Sequence, residues 1–219
     1  MSIFFTYNTC IHRLRVGWTY GKHFEDQKMF RVITGCLLSC GLLLTGMTSL
    51  GNNADVKAYH VGDKVPDFEV RTLKGKKTSL TALQSNEKTN SSGVTVLTFW
   101  CSFCGSCRQV DKPLSELSQR FDGQVAILAL DSSAGEQAKT ISKVLKEKQL
   151  RMPVLLDGKG HLADLFGARM TTTTVIIDAD NVIRYWGQFQ HGEIPLAEQA
   201  IEAVLAGRKP PRDHTRERG

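Results

Sequence analysis

The chain has 219 residues, of which 41% are hydrophobic and 23% are charged. This is ordinary globular usage and excludes a collagen-like or broadly disordered protein. The formal net charge of +6 comes from residues 1–51 and 207–219, each of which holds five basic and two acidic residues. Because residues 52–206 are neutral, the charge pattern predicts no nucleic-acid partner.

An apolar segment without charged residues spans residues 32–50, with two basic residues before it and small residues at its end. This order is typical of a secretory signal, and the length also approaches the roughly 20 residues that cross a bilayer. We therefore predict that residues 29–51 are a signal peptide or a membrane anchor. A lipid-attachment site at Cys36 or Cys40 is a third, weaker possibility. Residues 1–28 show no pattern typical of a folded element. We interpret them as an over-extended start, upstream of a natural beginning at Met29.

The segment that begins at His60 predicts the start of a folded domain. Phe68 and Val70 alternate with charged residues, as in a half-buried strand. Further strands are predicted where the chain is rich in apolar and β-branched residues, at residues 94–100, 125–130, 154–156, 173–177 and 182–189. Helical spacing of apolar residues predicts helices at residues 104–121, 136–148 and 194–206, and a short helix around residues 162–166.

Strands and helices therefore alternate over residues 60–206. Such alternation is typical of a sheet that is covered by helices on both faces. We predict one α/β domain over these residues, a three-layer sandwich whose central mixed β-sheet is flanked by helices, preceded by the apolar targeting segment. Residues 207–219 are charged and contain prolines, which predicts a disordered tail.

Two cysteines, Cys104 and Cys107, lie at the start of the helix that follows the strand at residues 94–100. At this spacing both thiols share one helix face and can form a disulfide. Unpaired backbone N–H groups and the helix dipole stabilise a thiolate there, so we expect a lowered pKa for Cys104. Cys107 should be more buried and should resolve a mixed disulfide. A second ligand pair is absent, so neither a zinc site nor another cofactor is expected.

An aromatic pair, Phe99-Trp100, precedes the Cys-x-x-Cys motif, and Arg108 and Pro113 follow it. This arrangement resembles the active-site segment of thioredoxin-fold proteins, most closely the exported branch similar to TlpA and ResA. Residues 62–68 resemble the opening of the redoxin and AhpC/TSA superfamily, and residues 167–178 resemble its later loop and strand.

The resemblance implies a thioredoxin-like fold and a thiol–disulfide oxidoreductase that acts on proteins in the periplasm or another extracytoplasmic compartment. Cys104 and Cys107 would be its catalytic pair, and a reductase there would need a membrane-bound electron donor. The residues that the resemblance places near the site or against the substrate are Trp100, Phe103, Gly105, Ser106, Thr171 and Thr172.

The sequence departs from the thioredoxin pattern at three positions. Thr172 stands at the usual proline, and a cis bond before another residue costs about 2.5–4 kcal/mol, so we predict trans bonds in this loop. The loop should still face Cys104, with the Thr171 backbone available to an extended substrate and the Thr172 hydroxyl near the thiolate. Thr98 replaces a buried acid. Cys101 is an additional thiol, interpreted as a small buried residue, a second partner for Cys104 or a metal ligand.

Two other functions are kept as alternatives. Residues 98–101 superficially match the Thr-x-x-Cys site of a peroxiredoxin-like (AhpC/TSA) antioxidant peroxidase, although the upstream proline of such sites is absent. A Sco-like metal-binding thiol protein is the second alternative. Its ligands would be Cys101, Cys104, Cys107 and a histidine such as His161, although Sco proteins use a Cys-x-x-x-Cys spacing.

Overall fold

The computed structural model of the chain describes residues 58–218. The predicted start at residues 1–28 and the predicted signal peptide or membrane anchor at residues 29–51 lie outside the described residues. Within residues 58–218, no helix has both the length and the apolar character needed to cross a membrane.

Strands and helices alternate along the described chain as the sequence predicts. The strands are β1 (Glu69–Thr72), β2 (Lys77–Ser79), β3 (Thr95–Phe99), β4 (Ala126–Asp131), β5 (Val154–Leu156), β6 (Thr173–Ile177) and β7 (Ile183–Gln188). The helices are α1 (Leu80–Gln84), α2 (Cys107–Arg120), α3 (Ala138–Glu147), α4 (His161–Leu165) and α5 (Leu196–Leu205).

The strands form one mixed sheet in the order β2-β1-β5-β4-β3-β6-β7. The three central strands β3, β4 and β5 are parallel, whereas β1, β2, β6 and β7 run antiparallel to their neighbours. Parallel neighbours end at the same edge of a sheet, so the loops that follow β3 and β4 lie close together.

The central strand β3 is buried along its whole length and separates two hydrophobic cores. Val96 belongs to one core together with Leu114 of α2, whereas Leu97 belongs to the other core together with Leu80 of α1 and Phe166. Successive side chains of a strand point to opposite faces, so the two cores lie on opposite faces of the sheet. The architecture is the predicted three-layer, thioredoxin-like sandwich.

Two local features differ from the sequence prediction. Helix α2 begins at Cys107, so Cys104 lies in the turn before the helix and not in its first turn. Strand β2 was not predicted, because its three residues Lys77–Ser79 are too few and too polar to show a period-two pattern.

Residues 208–218, called the strap below, lie along the edge strand β7, so the prediction of a disordered tail is wrong. The Trp186 N–H donates to the Asp213 carbonyl at 2.9 Å, and the Thr215 N–H donates to the Trp186 carbonyl at 3.1 Å. A Cβ atom at Gly187 would lie 2.1 Å from Oγ1 of Thr215, so glycine permits this approach. The unpaired backbone groups of the edge strand supply the partners that composition alone did not reveal.

Candidate active site

The candidate site lies at the carboxyl end of β3. The strand ends at Phe99, residues 101–106 form turns, and α2 begins at Cys107. The loop at residues 170–173 is fastened to the same point, because the Thr172 N–H donates to the Phe99 carbonyl at 2.6 Å. The sheet therefore brings the dithiol and this loop together, as the sequence predicts.

Cys104 is partly exposed and accepts several hydrogen bonds. Its Sγ lies 3.0 Å from Oγ of Ser106 and 3.1 Å from Oγ1 of Thr171. The thiol and the backbone N–H of Cys107 also donate to it. The bond from the Cys107 side chain is the strongest influence, and together these bonds outweigh burial and lower the pKa of Cys104 from 9.0 to about 4. Cys104 is therefore a thiolate at neutral pH.

Cys107 is 1% exposed and lies directly behind Cys104. A hydrogen bond from the Cys101 side chain lowers the pKa of Cys107. Its hydrogen bond to Cys104, burial and the charge of Cys104 outweigh that effect and raise the pKa to about 12. The backbone N–H of Cys101 also points at Sγ of Cys107, at 3.5 Å. The two thiols of the motif therefore differ in both exposure and ionisation.

Thr171 and Thr172 divide their contacts differently from the prediction. It is the Thr171 hydroxyl that bonds to Cys104, whereas the Thr172 hydroxyl donates to the Arg218 carbonyl of the strap at 2.9 Å. The expectation that the Thr172 hydroxyl faces the thiolate is wrong, because this residue has a φ of +68°, a left-handed conformation that is rare for a β-branched residue. No peptide bond within residues 58–218 is cis, as predicted for this loop.

The other predicted near-site residues fall into two groups. Phe103 and Gly105 are exposed in the turn around Cys104, and Phe103 is 61% exposed. Trp100 is only 1% exposed, so it supports the site from within the core and does not present a surface to a substrate.

A buried carboxylate that was not predicted holds Trp100 in place. The indole N–H donates to Oδ1 of Asp111 at 2.7 Å, and Nζ of Lys148 lies 2.6 Å from Oδ2. Asp111 follows Cys107 by four residues and therefore shares its helix face, which is the signal that could have identified it. No local sequence pattern links Lys148 to Asp111, because the two residues lie 37 positions apart in the chain.

An acidic cluster adjoins the site at the end of β4. The Ser133 N–H donates to Asp131 at 2.9 Å, and the Ser102 N–H donates to Glu136 at 3.3 Å. Burial raises the pKa of Asp131 to about 6, against the opposing effect of its hydrogen bonds from Ser133. A cavity of about 10 Å³, room for about one water molecule, is lined by Ser133 and also by Cys101. The sequence did not single out Ser102, Ser133 or Glu136.

The sulfur atoms of Cys101, Cys104 and Cys107 lie within 4.8 Å of one another. Three thiolates at such distances suit a soft ion such as Cu(I). Within residues 58–218, His161 does not join this group, so the histidine ligand considered for a metal site is not brought to it.

Residues 61–186 match the AhpC/TSA family, which is more than half of the chain. The chain belongs to the AhpC/TSA family. The match confirms the resemblance seen in residues 62–68 and 167–178. It ends within β7, so the strap lies beyond the part of this chain that the family match covers.

Relatives within reach of sequence comparison are named thioredoxin-like proteins or thiol-disulfide oxidoreductases. The chain is 29% identical to the thioredoxin-like protein YneN of Bacillus subtilis over 56% of this chain and 68% of YneN. It is also 29% identical to the thiol-disulfide oxidoreductase ResA of Bacillus cereus, over 73% of this chain and 86% of ResA. These names agree with the class of enzyme predicted from the sequence.

Solved structures confirm the thioredoxin-like fold. A protein of Chlorobium tepidum, crystallised as a candidate thiol:disulfide interchange protein DsbE, superposes with a TM-score of 0.55 at 24% identity, over 68% of this chain and 99% of that one. A hypothetical protein of Sinorhizobium meliloti gives a TM-score of 0.64 at 18% identity, over 74% of this chain and 93% of that one.

Proposed function

We propose that this AhpC/TSA family member is an exported thiol–disulfide oxidoreductase that exchanges disulfides with proteins through Cys104 and Cys107. The observation that carries the proposal is the asymmetry of the pair. Cys104 is partly exposed with a pKa of about 4, and Cys107 is buried behind it with a pKa of about 12. Disulfide exchange requires an accessible thiolate and a second thiol within reach of it. The relatives named ResA support the same activity.

In the first step the Cys104 thiolate attacks one sulfur of a substrate disulfide. A bond forms between Sγ of Cys104 and that sulfur, the substrate S–S bond breaks, and the other substrate sulfur leaves as a thiolate. The hydrogen bonds from Ser106 and Thr171 keep the attacking sulfur ionised before the substrate arrives.

In the second step Cys107 gives up its proton to water and attacks Sγ of Cys104. The Cys104–Cys107 disulfide forms and the remaining substrate sulfur leaves as a thiolate, so the substrate gains the two electrons that the enzyme loses. The charge of Cys104 is absent in the mixed disulfide, so one cause of the raised pKa of Cys107 disappears at this stage. The hydrogen bonds from Cys101 then favour the Cys107 thiolate. Run in reverse, the same steps oxidise a dithiol.

The surroundings of Cys104 suit a protein substrate. Phe103 is exposed beside it and offers an apolar contact, and the backbone of Thr171 is the proposed partner for an extended segment of the substrate. The apolar segment at residues 32–50 supports export, and a membrane-bound donor would then supply electrons for reduction.

The peroxidase alternative receives less support from the geometry. Cys101, the candidate peroxidatic residue, is 1% exposed. The Thr98 hydroxyl, which would have to serve that cysteine, lies 3.0 Å from the hydroxyl of Thr174. Peroxide consumption that survives Cys104→Ser but not Cys101→Ser would reinstate it.

Metal binding is the second candidate function, favoured by the cluster of three sulfurs within 4.8 Å. Titration of the reduced protein with Cu(I) against a chromophoric chelator tests it. One tightly bound ion per chain that Cys101→Ser weakens would support this candidate, and binding no stronger than to Cys101→Ser would remove it.

Trapping tests the leading proposal. In the full chain, Cys107→Ser keeps a hydroxyl donor to Cys104 but cannot resolve a mixed disulfide. We expect mixed disulfides with exported proteins to accumulate through Cys104 and to be absent from the matched variant Cys104→Ser/Cys107→Ser. If none forms while Cys104 is shown to be reduced, the proposed function is wrong. Reduction of insulin by the intact dithiol measures the reductive direction.

A further inference from the structure

The loop that carries Thr171 is held from both sides by one carboxylate of the strap. Oε1 of Glu217 accepts from the Arg169 N–H at 2.9 Å and from the Met170 N–H at 3.3 Å. The Thr173 hydroxyl lies 2.9 Å from the same oxygen and 2.9 Å from the Met170 carbonyl, so its one proton is shared between these two acceptors. The donors lie one and two residues before Thr171 and two residues after it, so a single oxygen contacts both limbs of the loop.

The loop needs such support because its backbone is strained. Thr172 has a φ of +68°, a strained conformation that a non-glycine residue keeps only where its surroundings hold it. Its N–H donates to Phe99, its carbonyl accepts from Phe189, and its hydroxyl donates to the Arg218 carbonyl. The last of these bonds also comes from the strap.

The strap is itself fixed to the sheet and not merely draped across the loop. Its inward residues alternate with exposed ones, as in a strand: Asp213, Thr215 and Glu217 are half-buried, and the residues between them are exposed. The Thr215 hydroxyl accepts from the Gln188 N–H at 2.8 Å, and the His214 ring stacks on Trp186 at 5.0 Å. The backbone that carries Glu217 is therefore held in place beside the loop.

We propose that Glu217 is a positioning residue, which through the loop at residues 169–173 holds the Thr171 hydroxyl against Sγ of Cys104 and so tunes the reactivity of this thiolate. The inference rests on the proposed role of Cys104 as the nucleophile. The family match covers residues 61–186, so the loop and Cys104 lie inside it and Glu217 lies outside it.

The test is the pH dependence of Cys104 alkylation by iodoacetamide, followed by mass spectrometry on the reduced full chain with a metal chelator present. Thr171→Val removes the hydroxyl and should move the midpoint up by about half a unit, about a threefold loss of rate below the midpoint. Glu217→Ala should move it in the same direction. Glu217→Gln keeps an accepting oxygen and should lie close to the wild type. Asp213→Ala removes a carboxylate of the strap that pairs with Lys209 and should change nothing.

The double variant Thr171→Val/Glu217→Ala separates positioning from an independent effect. If Glu217 acts through Thr171, the double variant has the midpoint of Thr171→Val alone. The proposal would be overturned if the shifts of the two single variants add in the double variant. It would also be overturned if the Glu217→Ala midpoint equals that of the wild type. Ending the chain after Asp213 removes residues 214–219, including both strap partners of the loop, Glu217 and Arg218, so it should move the midpoint at least as far as Glu217→Ala does.

Alkylation needs no protein substrate, so its result is separate from the trapping experiment. An absent mixed disulfide with a normal Glu217 effect contradicts the proposed function, whereas normal trapping without a Glu217 effect contradicts only this inference.

Discussion

The hydroxyl of Thr171 lies 3.1 Å from Sγ of Cys104, although 67 positions separate the two residues in the chain. The contact exists because Thr172, the next residue, is hydrogen bonded to Phe99 at the end of β3. The thiolate therefore receives hydrogen bonds from its own turn, from the first residue of α2 and from a distant loop.

The first prediction concerns the strongest of these bonds, the one from the Cys107 side chain. Cys107→Ala removes that donor, so the pKa of Cys104 should rise from about 4 by about one unit or more, whereas Cys107→Ser retains a hydroxyl and should shift it less. Because the folded pKa lies below the usual value, the thiolate is present above it and is lost as the pH falls through it. Thiolate absorbance at 240 nm measures the shift, and equal midpoints for the two variants would contradict the assignment.

The second prediction concerns the role of Cys101 in resolution. Cys101→Ala removes the thiol that lowers the pKa of Cys107, so Cys107 should attack the mixed disulfide about three- to tenfold more slowly at pH 7. Quenched-flow mass spectrometry of the mixed disulfide with a model peptide measures this rate. Cys101→Ser is the matched control and should be less affected. Iodoacetamide alkylation of Cys104 should be nearly unchanged in both variants; slower alkylation would mean that Cys101 acts on the first step instead.

The third prediction concerns the carboxylate beneath Trp100. Asp111→Ala leaves the buried indole N–H without its acceptor and Lys148 without its partner, so it should lower the free energy of unfolding by about 2–3 kcal/mol. Glu116→Ala is the control, since it removes an exposed carboxylate on the same helix whose distance to Lys112 is 3.7 Å. It should cost less than about 0.5 kcal/mol. Urea unfolding measures the free energy of both variants. Equal losses would show that the buried contacts of Asp111 contribute no more to stability than an exposed carboxylate does.

The fourth prediction concerns Asp131, whose pKa is raised to about 6 by burial. A carboxyl with a raised folded pKa prefers its proton in the folded state, so stability falls as the pH rises from about 4 to 6. Asp131→Asn removes this dependence and keeps an oxygen for the Ser133 N–H. The variant should match the wild type near pH 4 and exceed its stability by about 2 kcal/mol at pH 7. Urea unfolding across this range checks it, with Asp122→Asn, an exposed position, as control. A stability difference that does not grow with pH would contradict the burial argument.

The fifth prediction concerns export. Residues 29–57 fused to alkaline phosphatase, which is active only after export, should give activity equal to that of residues 1–57 in the same fusion, because residues 1–28 add no targeting signal. Replacing Leu42 and Leu43 by Asp interrupts the apolar run and should abolish the activity of both fusions. Activity that requires residues 1–28 would contradict the proposed start of the signal.

The sequence by itself determined the elements and the motif. The apolar run over β3, the amphipathic helix that follows and the spacing of Cys104 and Cys107 are local patterns, and local patterns fix secondary structure and the chemistry that two neighbouring thiols can perform. The position of the loop at residues 170–173 against the dithiol came from the family resemblance and not from a local pattern.

Only the tertiary structure decided which atoms meet at the thiolate. The left-handed backbone at Thr172 gives the contact with Cys104 to Thr171, the charged strap lies along β7 with Glu217 under the loop, and Asp111 is buried beside Trp100. Each outcome depends on hydrogen-bond partners that are far apart in the chain, and composition and periodicity contain no information about such pairings.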